Sequence, residues 1–175
     1  MKVTYYVAIS LDGFIATPDG GVDWLTPFQE SGEDYGYADF LASVDSLLIG
    51  SSTYEFMLGH PPWLHPDKPS WVFTTRDLEL AHESVELTSR DPLEVLAELR
   101  SRGLQSAWLM GGGKLASAFR DRGIISHYVI AVVPIVLGSG IPLLAAGGPQ
   151  DRLRLIGTES YSSGIVMLSY ERRTP

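Results

Sequence analysis

The sequence predicts an α/β fold with a mostly parallel central sheet, helices on both faces and an antiparallel hairpin at the C-terminal end. Three observations carry the prediction. Short apolar or β-branched runs alternate with segments of helical period through the middle of the chain, as in successive β–α–β units. Gly111-Gly112-Gly113 joins an apolar run directly to a helical one. Two strand-like runs, Leu153–Tyr161 and Gly164–Arg172, flank Ser162-Ser163, a link short enough only for antiparallel neighbours.

The elements follow in order. Lys2–Ile9 alternates and is rich in Val, Tyr and Ile, which predicts the first strand. Ser10–Gln29 carries Asp, Gly and Pro throughout and reads as a long loop, a length that in a compact domain usually marks function or mobility. Glu33–Val44 reads as a helix, with Tyr37, Leu41 and Val44 at helical spacing beside Phe40. Ser46–Ile49, ending at Gly50, is a buried strand. Ser51–Leu58 is a short helix, with Ser51 or Ser52 as N-cap and Glu55 as capping-box partner. Gly59–Pro69 is a proline-rich surface connection.

Trp71–Thr74 and Ser84–Leu87 are two further strands. Ser89–Arg102 is a helix capped by Ser89 or Asp91, with Pro92 in its first turn and Gly103 as its stop. Its face is read as Leu93, Leu96, Ala97 and Arg100, with Val95 and Leu99 beside it. Ala107–Met110 is a strand, followed after the glycines by a helix to about Asp121. Ser126–Val133 is a long strand, and Pro134–Pro149 a Gly/Pro-rich loop with an apolar centre. Ligands of such sheets gather at the carboxyl ends of the strands.

Composition narrows the function. A chain of 175 residues with 45% hydrophobic and 19% charged residues is globular rather than disordered, and fits one domain spanning 1–175. No apolar run reaches the ~18–20 residues that span a bilayer. The first residues are too short and strand-like for a signal peptide. There is no cysteine, hence no disulfide framework and no thiolate metal site, and the cytoplasm is the expected compartment. A net charge of −8 disfavours nucleic acid as a partner. An anionic dinucleotide would need backbone amides, helix N-termini and a few local cations to hold it. His60, His65, His82 and His127 show no ligand spacing, so no metal is expected.

Gly111-Gly112-Gly113 is the sharpest feature. Glycines between a strand and a helix let the backbone approach a phosphate while the helix N–H groups point at it, and Lys114 adds one charge. The other reading is a tight turn with no ligand. Leu115 stands where a P-loop needs Ser or Thr, and Ala116 fills the last place of a G-x-G-x-x-G pattern, so neither motif applies.

The stretch Trp108–Phe119 resembles the glycine-pair segment of the dihydrofolate-reductase-like superfamily, and equally the reductase domain of the bifunctional riboflavin-biosynthesis deaminase–reductases. Three more segments agree in order. Ala8–Ala16 is similar to the "S-L-D-G-x-I-A" exit from the first strand. Leu47–Glu55 resembles the "G-R-x-T-x-E" cofactor turn. Pro134–Leu143 resembles the "P-x-x-L-G-x-G-x-P-L" loop of the riboflavin branch.

The resemblance implies a three-layer fold, NADPH as coenzyme and a homodimer. Gly111 and Gly112, often joined by a cis peptide in the family, would lie with Gly113 and Lys114 against the nicotinamide and pyrophosphate. Gly50, Ser52 and Thr53 would contact the pyrophosphate; Thr74, Thr75 and Arg76 would face the adenosine ribose and its 2′-phosphate. Ser51 replaces the arginine that often follows the glycine of that turn, which leaves Arg76 as the main cation there.

Two readings stay open for each candidate acid. Asp12 is a catalytic group at a strand end or a turn former before Gly13. Asp34, or Glu33 with the register shifted by one, is an acid facing the substrate from a helix or a helix N-terminal charge. Asp23-Trp24 covers the nicotinamide face, or Trp24 packs on the core and Asp23 is solvent-exposed. The implied reaction is reduction of the ribosyl group of an aminopyrimidine ribosylamine phosphate. Phe56–Trp63 lacks the "D-D-P-x-L-x-x-R" segment usual in those enzymes. The alternatives are a dihydropteridine reductase and, in another class, a dinucleotide-binding module without turnover.

Overall fold

The computed structural model describes residues 1–173. Ten strands and five helices follow one another as β1 (Lys2–Ser10), β2 (Phe14–Ala16), α1 (Thr26–Gln29), α2 (Tyr37–Ala42), β3 (Ser46–Gly50), α3 (Ser51–Leu58), β4 (Ser70–Phe73), β5 (Val85–Thr88), α4 (Pro92–Ser101), β6 (Ser106–Gly111), α5 (Gly113–Asp121), β7 (His127–Val133), β8 (Ile141–Pro142), β9 (Leu153–Ser160) and β10 (Val166–Arg172). The main sheet has the order β5-β4-β3-β6-β1-β7-β10-β9. It is parallel from β5 to β7, and the β9–β10 hairpin closes one edge antiparallel. This is the α/β architecture predicted from the alternating pattern.

Alternating side chains divide between two layers. Val3 and Tyr5 of β1, Leu48 of β3 and Ala107 and Leu109 of β6 pack with Val95, Leu96 and Leu99 of α4 and Ala116 and Phe119 of α5. On the opposite face Leu47 and Ile49, Val72 and Trp108 pack with Val44, Tyr54 of α3 and the flanking Tyr37, Phe40 and Leu41. A strand's two-residue period sends successive residues to opposite sides, so each central strand serves both cores.

Several expected elements need correction. The helix read over Glu33–Val44 begins only at Tyr37, because Tyr35 and Gly36 both adopt positive φ (54° and 73°) and break the helical path. The loop read over Ser10–Gln29 contains β2, a 3-10 turn at Asp23–Leu25 and α1. The Pro134–Pro149 loop contains β8, which pairs with β2. The capping box at α3 is not formed: Gly50 is the N-cap and no side chain caps the helix. Asp91 caps α4, accepting from the Leu93 amide at 2.9 Å. That helix buries Val95, Leu96 and Leu99, whereas Leu93 is exposed.

Candidate functional site

The carboxyl ends of β1, β3, β4 and β6 lie side by side, which brings the glycine segments together. Gly50 pairs with Phe73 across β3–β4 and is neighboured by β6 on its other side. A Cβ on Gly50 would stand 2.9 Å from the Gly111 carbonyl oxygen and 3.0 Å from the Gly112 nitrogen. Only a hydrogen at this position lets the two strand ends touch. The Gly111–Gly112 peptide is cis, as the resemblance implied, and Gly111 has φ +126°.

The other side of this glycine pair is open. A Cβ on Gly111 or Gly112 would meet nothing nearer than the Thr53 hydroxyl, at 3.7 and 3.6 Å. The pair thus forms a cradle that any side chain would fill. Gly112 is the N-cap of α5 and offers no capping side chain, which leaves the first amides of that helix for an outside acceptor. α3 begins the same way one strand over, with Gly50 as cap and Ser51, Ser52 and Thr53 in its first turn. These features fit a diphosphate: amides, hydroxyls and two helix N-termini converge where side-chain bulk is missing. Exposed Lys114 sits in the first turn of α5. Gly113 has a different role from its neighbours, since a Cβ there would lie 2.5 Å from the Pro142 carbonyl oxygen. Its missing side chain admits the Pro134–Pro149 loop.

That loop is fastened to the exit of β1. The Leu11 amide donates to Ile135 O at 2.7 Å, and the Leu143 amide to Gly13 O at 3.0 Å. Tyr5 Oη donates to Leu143 O at 3.1 Å. Buried Ser117 of α5 accepts from the Ala145 amide and donates to Gly113 O, both at 2.7 Å. Asp12 belongs to this clasp. Its two carboxylate oxygens accept the Leu137 amide at 3.1 Å and the Gly138 amide at 2.7 Å. A hydrogen bond from Ser10, with the two amides, holds the Asp12 carboxyl below the usual carboxylate range. The geometry gives Asp12 a loop-clasping role at the exit of β1.

Thr74, Thr75 and Arg76 follow β4 beside the start of α3. Thr74 Oγ1 accepts the Arg76 amide at 3.0 Å. The Arg76 guanidinium forks onto Glu55 of α3, donating at 2.8 and 2.6 Å to its two oxygens. Glu55, assigned from sequence to a capping box, is therefore the partner of the candidate phosphate cation. The helix carrying it is fixed by buried Tyr54, whose hydroxyl donates to Glu79 O and accepts from the Ala81 amide, both at 2.8 Å.

On the α2 face of the sheet lies a groove of about 320 Å³, lined among others by Tyr6, Tyr35, Phe40, Glu159, Tyr161 and Met167. Tyr6 stacks on Phe40 with ring centroids 4.3 Å apart. Tyr35 meets Tyr161 edge-on at 4.9 Å. Burial pushes Tyr6 up to about 12, with Tyr161 and Asp34 adding to the shift. Desolvation also raises Tyr161 to about 12, with Glu159, Glu33 and Asp34 adding to it. Asp34 thus lies within electrostatic reach of the groove, but it precedes α2 and does not project from it. Its Oδ2 accepts the Ala38 amide at 3.0 Å, the helix-terminal role weighed as its alternative. Glu33 lies near the hairpin tip, accepting from Ser162 Oγ at 3.4 Å. Asp23 is exposed and Trp24 half-buried. Neither Tyr6 nor Tyr161 was singled out in sequence; both are visible only once the hairpin is folded beside β1.

Among the described residues no helix is long and apolar enough to cross a membrane, and no group of three or more His, Asp or Glu is placed to hold a metal ion.

Comparison with known proteins agrees with this geometry. The model of the RibD C-terminal domain matches residues 1–167. The uncharacterized protein YwjB of Bacillus subtilis (strain 168) is 37% identical over 172 residues, covering 98% of each chain. The riboflavin biosynthesis protein RibD of Corynebacterium ammoniagenes is 30% identical over 159 residues, which are 82% of this chain and 46% of that one. Among solved structures, a Shewanella sp. PV-4 protein provisionally named for riboflavin biosynthesis superposes with a TM-score of 0.90 at 26% identity, over 99% and 100% of the two chains. The Thermotoga maritima diaminohydroxyphosphoribosylaminopyrimidine deaminase/5-amino-6-(5-phosphoribosylamino)uracil reductase shares the fold, with a TM-score of 0.73 at 17% identity over 98% of this chain and 56% of that one. The chain therefore spans about half the length of these two relatives.

Proposed function

The chain belongs to the RibD C-terminal domain family, and from that premise we propose that it is an NADPH-dependent reductase of an aminopyrimidine ribosylamine phosphate. The observation that carries the reading is the cradle where Gly50 closes against the Gly111–Gly112 peptide below Thr53. When bound, NADPH would supply the hydride for that reduction. The chain's own residues bind and orient. Thr53, Ser52 and the first amides of α3 and α5 hold the diphosphate, and Lys114 adds a charge. The clasp around Asp12 keeps the Pro134–Pro149 loop over the crevice and limits water entry. The groove beside Tyr6 and Phe40 takes a planar heterocycle, with Asp34 within electrostatic reach as acceptor for an amino group.

A second reading, a dihydropteridine reductase, is favoured by one observation. The groove bears Glu159, with Glu33 and Asp34 close by, and no Lys or Arg is among its lining residues. A substrate phosphate would find no partner there, whereas an amino-substituted pteridine would.

A homodimer is part of the proposal. All eight residues of the edge strand β9 are exposed, and it presents Leu155 and Ile156 at 51% and 49% exposure. A second copy would cover that edge.

The test is titration with NADPH, followed by turnover with the aminopyrimidine ribosylamine phosphate and with dihydrofolate. Oxidation of NADPH with the first substrate supports the reading. Oxidation only with dihydrofolate replaces it with the second. Gly112→Val fills the cradle and is expected to abolish NADPH binding in a folded protein; unchanged affinity overturns the coenzyme site.

A further inference from the structure

At the adenosine end of the crevice one ion pair joins two neighbouring strand ends. Arg76 follows β4, Glu55 lies one turn into α3 after β3, and both carboxylate oxygens are engaged by the guanidinium at 2.8 and 2.6 Å. The two side chains are 52% and 41% exposed. An ion pair this wet contributes little to folding, so stability does not account for the fork. The Thr74 hydroxyl also holds the Arg76 amide, which fixes where the arginine starts. Ser51, on the same side of α3 as Glu55 and one turn earlier, brings no charge.

Resting on the coenzyme reading above, we propose that Glu55 tempers the preference for NADPH by sharing Arg76 with the adenosine ribose, so that NADH is accepted at the same site. The chemistry follows from two opposing recognition modes. A carboxylate accepts the 2′-hydroxyl of NADH, and an arginine accommodates the 2′-phosphate of NADPH. This corner presents both groups, already bonded to each other. A 2′-phosphate arriving here meets a cation whose charge is already matched by Glu55, so it either competes for the guanidinium or sits beside a carboxylate. A 2′-hydroxyl donates to Glu55 and leaves the fork intact.

The experiment is titration of NADPH and NADH, by nicotinamide fluorescence, into wild type, Glu55→Gln and Arg76→Ala. Melting temperatures serve as a check that all three are folded. Wild type is expected to bind the two coenzymes within about tenfold of each other. Glu55→Gln frees the cation and is expected to tighten NADPH by about three- to tenfold while weakening NADH. Arg76→Ala is expected to weaken NADPH and leave NADH within about twofold. An unchanged NADPH-to-NADH ratio in Glu55→Gln, or a wild type preferring NADPH by about a hundredfold or more, overturns the proposal while leaving the coenzyme site standing. Failure of wild type to bind either coenzyme overturns the reading on which both rest.

Discussion

Gly50→Ala is the most direct test of the crevice. The position has φ −78° and ψ 150°, which alanine adopts freely, so the substitution acts through space alone. The added methyl would stand 2.9 Å from Gly111 O, 3.0 Å from Gly112 N and 3.4 Å from Gly111 C. All three are backbone atoms and cannot swing aside as a side chain would. Ordinary contact requires the ends of β3 and β6 to part by roughly half an ångström, and overpacking of this kind costs about 1–3 kcal/mol. Native stabilities run to roughly 5–15 kcal/mol, so the variant is expected to fold. Its cradle will be displaced, and a loss of about tenfold or more in NADPH affinity follows from misplacing preorganised donors. Urea denaturation reads the first effect and fluorescence titration the second. Gly103→Ala is the control: φ is +85° and nothing lies within 4 Å of the new methyl. It carries only the left-handed backbone cost of about 1–2 kcal/mol, with coenzyme affinity unchanged. If Gly50→Ala binds NADPH as wild type does, the reasoning from strand contact to coenzyme cradle is wrong.

Three further outcomes are expected. Asp12→Ala removes the acceptor for the Leu137 and Gly138 amides, so hydrogen exchange at those two amides should accelerate while the β1 amides stay protected. Because its folded pKa lies below the ordinary 3.8, the stability Asp12 contributes is full above that value and lost as pH falls through the folded one. His65, 6% exposed with Nδ1 unpartnered, has its pKa lowered by burial and then by Lys68. Above pH 6.5 both states are neutral; below it the unfolded chain protonates first, so stability falls as pH drops. His65→Phe should flatten the melting-temperature slope between about pH 7 and 5, and an unaltered slope would exclude this histidine as its source. Leu155→Glu should shift sedimentation toward the monomer, and a single monomeric species in wild type would remove the proposed dimer edge.

What the sequence made legible was local. β1, β3, β6 and α4 were readable because their period and caps lie within a few residues: Asp91, one of the two caps read from sequence, bounds α4 with Pro92 and Gly103. The glycine run was readable because it joins strand to helix without a spacer. What was hidden was non-local or conformational. β2 and β8 are only three and two residues long, and they exist because Phe14 and Ala16 meet Pro142 and Ile141 across more than a hundred residues. Tyr37, Leu41 and Val44 do repeat at helical spacing, but the left-handed Tyr35 and Gly36 halt the helix before Asp34. That difference moved Asp34 from a helix face to a position ahead of the helix. Glu55 had the spacing of a capping-box residue, yet its partner lies 21 residues later, at the end of the adjacent strand.

The charge of the chain explains why the crevice has this construction. At −8, the global field opposes a polyanionic coenzyme, and added surface cations would be screened within about a Debye length. Backbone amides and helix N-termini act only at contact distance and are indifferent to net charge. They work only if the ligand can reach them, which requires hydrogen in place of Cβ at Gly111 and Gly112. The same condition explains Gly50 and Gly113, which face the sheet and the loop: their missing side chains let neighbouring backbone close behind the cradle. Four glycines thus divide into two that leave open space and two that admit neighbouring backbone. Side chains remain for what the backbone cannot do, which is to distinguish a phosphate from a hydroxyl, and under the proposed coenzyme reading that task would fall to Arg76 and Glu55.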